Sequence, residues 1–135
     1  MSFGGRTNTE QNTEISGNGW PSLSTAEFRK MRRIPFVFDE SSIATAVEIA
    51  ADAVQKQLDG VDGTGLAGAK LALYKRAVYA RAHADLLPEF ATQDRRDAAE
   101  NAAEDSPEQD ERFRSQSLRD IAQIRGKSPN GVELI

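Results

Sequence analysis

The sequence predicts an all-α protein: a small bundle of three to four helices with an extended N-terminal arm and a C-terminal tail. Three observations carry that expectation. The stretch from Leu66 to Phe90 is the longest run of helical character and is apolar on two sides, with Leu66, Ala69, Leu73, Ala77, Ala80, Ala84 and Leu87 on one face. Leu71, Tyr74, Val78 and Ala82 form a second stripe, broken by Lys75. Upstream, Ile43, Val47, Ala50, Val54 and Leu58 recur at helical spacing, and downstream Ser106-Pro107-Glu108-Gln109 reads as a capping box opening another helix.

The 135 residues suffice for one domain, expected over 35–126, between an arm at 1–34 and a docking tail at 127–135. Residues 1–20 are polar and Gly-rich with no apolar period, which predicts disorder, except that Trp20 either touches the domain or anchors in a partner. Ser24 or Thr25 can cap a short helix carrying Arg29, Lys30, Arg32 and Arg33, a basic cluster suited to phosphate or to an acidic protein surface. Pro35 then forces an extended apolar passage through Phe38. Asp39 is placed to cap the next helix, with Phe38 and Ile43 as its hydrophobic staple, and Gly60, Gly63 and Gly65 end it.

A helix apolar on two sides must be covered from two directions, as a core helix or at a subunit interface for which Leu71, Tyr74 and Val78 are the candidates. Pro88 should stop or kink it. Residues 91–105 are expected as a short helix capped at Thr92 or as an acidic connection. The last helix should turn Phe113, Ser117, Leu118, Ile121 and Ile124 inward and stop at Gly126. The tail holds Lys127, Pro129, Val132, Leu134 and Ile135, apolar enough to dock on something.

Charge is uneven within a formal net of −4. Residues 89–111 carry a local net of −7 and residues 112–127 a net of +4, either as solvated faces or as a subunit contact that aligns opposite charges in a ring. With no cysteine there is neither a disulfide nor a thiolate site, and the single histidine, His83, has no partner at metal-ligand spacing. Gly126-Lys127-Ser128 follows a helix instead of opening one, so it is no phosphate loop. The acids sit on exposed faces without an apolar pocket to raise a pKa. Neither catalytic residues, metal nor cofactor are expected, and carboxylate hydrolysis is the weakest reading. The chain start lacks the pattern of a signal peptide and no run approaches a membrane span, so a soluble protein without membrane contact is expected.

Between Phe36 and Ile135 the chain resembles the head completion proteins of tailed bacteriophages. Leu73-Tyr74-Lys75-Arg76-Ala77-Val78, followed by Ala80, Ala82, Ala84 and Leu86, looks like that family's central helix. Ser117-Leu118-Arg119-Asp120-Ile121, Ile124-Arg125-Gly126-Lys127 and Val132-Glu133-Leu134-Ile135 resemble its closing helix and tail, and Phe36-Val37-Phe38-Asp39 is similar to its aromatic lead into the first helix. Phe113 and Gln116 stand where tryptophans are common in the family. The resemblance implies a head-to-tail connector: a dodecameric ring under the portal protein that extends the DNA channel and presents a surface to a downstream tail, stopper or terminator protein. Packaged DNA would pass without sequence-specific binding, and the protein would belong to the virion neck after assembly in the host cytoplasm. Within it, the tail from Lys127 to Ile135 would dock at the portal or a neighbouring subunit. The rival reading is a small helical DNA-binding or regulatory module using Arg29–Arg33 and the arginines of 112–125, against which stands the adjacent acidic block.

Overall fold

The computed structural model describes residues 11–97 and 106–126, and within these the chain is a helical bundle fronted by a small β-ladder. The ladder corrects the all-α expectation. β1 (Glu14–Ile15) pairs antiparallel with β2 (Leu23–Ser24), Ile15 opposite Leu23, and both apolar residues are buried. Between them Asn18 and Gly19 adopt positive φ and the Trp20 amide donates to Gly17 O at 3.1 Å, which folds the chain back. A two-residue strand leaves no periodicity to read, so this segment looked like an arm.

Helix α1 (Thr25–Arg32) starts where Ser24 Oγ accepts from the Glu27 amide, and it ends at Arg33 in the left-handed region. Its Phe28 is fully buried, and Ile34 follows it inward. Residues 11–34 thus contribute Ile15, Leu23, Phe28 and Ile34 to the same core as the bundle.

Helix α2 (Glu40–Gln57) begins at Asp39, whose carboxylate accepts from the Ser42 amide at 2.9 Å, with Phe38 and Ile43 both buried as the staple requires. Ile43, Val47, Ala50, Val54 and Leu58 all point into the core. After a 3-10 turn at Gly63–Gly65, helix α3 runs from Gly68 to Asp97. It continues past Pro88, which therefore does not stop it. Loss of one backbone hydrogen bond there is offset by burial of Phe90 and Ala91 beyond it, Phe90 lying 4.0 Å from Phe38 between ring centroids.

Helix α4 (Ser106–Arg125) begins at Ser106 and stops at Gly126, whose φ is +78°. Helices α2 and α4 both pack on α3, so the two-sided apolar character of the central helix is used up inside one subunit. On α4, Ser117, Ile121 and Ile124 are buried as expected and Phe113 is half-buried. Leu118 departs from the expectation, being 51% exposed, while Asp120 takes the inward position two residues on.

Candidate assembly surfaces

What the subunit can offer a partner is decided by which polar groups its own packing consumes. Glu40, in the first turn of α2, accepts from the hydroxyls of Thr13 and Thr25, each at 2.6 Å, and from Arg29 Nη2 at 3.1 Å. Burial works to raise its pKa, but these three donors outweigh it and hold the carboxylate below its ordinary range. Arg29 also donates to the carbonyls of Pro35 and Phe38 and is only 6% exposed. It is the peg that fixes the turn from Pro35 to Phe38 against α1.

Arg32 is committed as well. Its Nε donates to His83 Nδ1 at 2.9 Å and its guanidinium lies 4.5 Å from the centre of the Phe113 ring. His83 sits among Phe28, Phe90 and Phe113, and burial, with the charge of Arg32 second, lowers its pKa to about 4. Among the described residues there is no cluster of three or more side chains able to hold a metal ion. Of the four cluster residues, Lys30 and Arg33 alone are exposed.

Two further networks lock the helices. Tyr79 Oη donates to Glu27 Oε1 at 2.6 Å and Lys75 reaches the same carboxylate, tying α1 to α3. Burial and that carboxylate both raise the pKa of the Tyr79 phenol. Between α3 and α4, Arg76 grips the nearly fully buried Asp120 with two hydrogen bonds, at 2.9 and 2.8 Å, and Ser117 Oγ donates to Ala77 O. Arg114 bridges Asp85 and Asp110.

Of the candidate interface residues, Tyr74 and Val78 are wholly buried inside the subunit, which removes them from any outer surface. Leu71 is half-buried and meets Trp20 at one end of the bundle. Trp20 stacks on Tyr74 with centroids 5.3 Å apart, and a Cβ on Gly63 would fall 2.4 Å from the indole. The tryptophan therefore touches its own domain, and with Pro21, Leu66 and Leu71 it borders a groove of about 390 Å³. Lys127, Pro129, Val132, Leu134 and Ile135 lie outside the described residues.

At the opposite end the basic cluster is joined by an apolar surface that the sequence reading missed. Phe36 and Val37 are 48% and 59% exposed, and a pocket of about 470 Å³ is lined by Gln11, Arg29, Lys30, Arg33, Ile34 and Phe36. The signal was present in the run Ile34–Phe38, where only Ile34 and Phe38 of the large apolar residues are buried. The extended passage expected here is instead a turn, in which the Phe38 amide donates to Pro35 O at 3.4 Å, and its outward residues Phe36 and Val37 are not polar.

A probable head completion/stabilization protein of Haemophilus phage HP1 (strain HP1c1) is 29% identical over 151 aligned positions, covering 98% of this chain and 99% of that protein. No solved structure matches. Residues 61–135, from the turn before α3 through the tail, match the family of phage head completion proteins (GPL). That match takes in more than half of the chain, and the protein belongs to the phage head completion protein family.

Proposed function

We propose that the protein is a head-to-tail connector of a tailed-phage virion, assembling as a ring, dodecameric like the portal, beneath the portal protein. The ring extends the DNA channel and offers its far side to a downstream tail, stopper or terminator protein. The observation that carries this reading is the family match over 61–135, which spans the central helix, the closing helix and the tail as one unit. The internal commitment of Arg29 and Arg32 supports it against the DNA-binding alternative, since only Lys30 and Arg33 of that cluster remain open to phosphate. Packaged DNA then slides past without sequence-specific contacts. No described helix is long and apolar enough to cross a membrane.

In this reading Lys127–Ile135 is the docking element, inserted at the portal or a neighbouring subunit and ordered on assembly. Co-sedimentation with the portal ring of its phage tests the proposal. The full chain should saturate at one copy per portal subunit, and a chain cut before Lys127 should not bind. Failure of both to bind removes the portal from the proposal. Salt-dependent binding of duplex DNA by the free protein would favour the DNA-binding reading instead.

A further inference from the structure

The pocket beside Phe36 is built for something the described chain does not supply. Its floor is apolar, from Ile34 and Phe36, and its rim is basic, from Lys30 and Arg33. Two buried polar atoms of lining residues, Gln11 Oε1 and Arg29 Nε, have no hydrogen-bond partner among the described residues. Such a wall suits an extended segment that brings apolar side chains, a negative charge and free backbone groups. Val132-Glu133-Leu134-Ile135 has that composition.

Distance decides which copy supplies it. Arg125 donates to the carbonyls of Gln57 and Asp59, so α4 ends at the C-terminal end of α2, whereas Arg29 binds Phe38 O and Glu40 at its N-terminal end. The 18 residues of α2 separate these points by about 27 Å. Glu133 and Leu134 follow Gly126 by seven and eight residues, a reach of about 24 and 27 Å at full extension. The tail of the same subunit would arrive only fully stretched along a straight line, whereas the tail of a neighbouring copy has no such limit. The groove beside Trp20 is closer, but Asp62, which holds Thr64 there, would repel Glu133.

We infer that the pocket formed by Ile34, Phe36, Lys30 and Arg33 receives Lys127–Ile135 of a second copy of this chain, with Leu134 on Phe36 and Glu133 between the two basic residues. The inference rests on the reading of 127–135 as the docking element. The contact joins unlike surfaces, so it propagates from copy to copy and, where the rotation between copies closes, forms a ring.

Because the chain has no cysteine, single replacements report cleanly. Copies carrying Leu134→Cys and copies carrying Phe36→Cys, mixed at about 1 mM so that weak contacts are populated, should form the mixed disulfide on oxidation. Thr64→Cys in the Trp20 groove should not couple to Leu134→Cys. Lys30→Glu should cut the yield about threefold, and Glu133→Lys in the other copy should restore it. Coupling of Leu134→Cys to Thr64→Cys, or equal yields at both positions, overturns the inference. Portal co-sedimentation of the unaltered chain is scored separately, so a subunit that cross-links at Phe36 yet ignores the portal counts against the connector reading alone.

Discussion

The two sides of α3 are packed by different means. Toward α2 the contact is an apolar core in which Ile43, Val47 and Val54 leave no exposed surface. Toward α4 the small side chains of α3, Ala77, Ala80 and Ala84, bury little area each, and specificity comes from Arg76–Asp120 and from Ser117 on Ala77 O. Volume holds one side, and paired charge sets the register of the other. Complementary losses should follow from truncating each.

The largest effect is expected for Ile43→Ala, which opens a cavity in the volume-filled side and should cost about 3 kcal/mol in chemical denaturation. Arg76→Ala should cost about 2 kcal/mol, less than for a fully enclosed pair because Arg76 is half-exposed, and it should loosen α4 selectively. Asp120→Ala should cost less than Arg76→Ala, since it leaves a cation that water can reach rather than a buried carboxylate. If the two substitutions cost the same, the asymmetry assigned to this pair is wrong. Hydrogen exchange along α4 shows whether the loss is local.

The histidine on the outer edge of that comparison gives a pH test. His83 has a folded pKa of about 4 against an ordinary 6.5, so its neutral form favours the fold above pH 6.5. That contribution is lost as pH falls from 6.5 through 4 and amounts to on the order of 2 kcal/mol, allowing for its partly open edge. His83→Phe should flatten stability over that window, as followed by urea midpoints at successive pH values. The smallest effect is expected at the Trp20 end. Gly63→Ala should displace the indole, cost about 1 kcal/mol and shift the tryptophan emission to longer wavelength. Unchanged emission would mean that the turn moves instead of the ring.

Much of this architecture can be read in the sequence where local chemistry decides it. Asp39, the Phe38–Ile43 staple, the start at Ser106 and the stop at Gly126 are short-range devices, and all are found where their residues predict. What escapes is set by distant partners. Nothing near Asp120 says that it turns inward in place of Leu118, because its reason is Arg76, 44 residues away. The helix through Pro88 is explained by Phe38, and the ladder at Ile15 by Leu23 and the core behind it. Among the candidate surface residues, Trp20 and Leu71 come together at one groove, while Tyr74, Val78 and Arg29 are spent inside. Residue type marks a side chain as able to bind, and only the fold shows whether it is still free to do so.

The uninterrupted passage of α3 through Pro88 also fixes a dimension. Its 30 residues span about 45 Å, against about 27 Å for α2 beside it. A helix lengthens only in steps of about 1.5 Å, each of which rotates everything beyond it by about 100°. In a layered assembly such a rod acts as a ruler. If the proposed connector is built in layers, inserting or deleting residues in α3 beyond its contact with α2 would alter the spacing between those layers and the angle at which they meet.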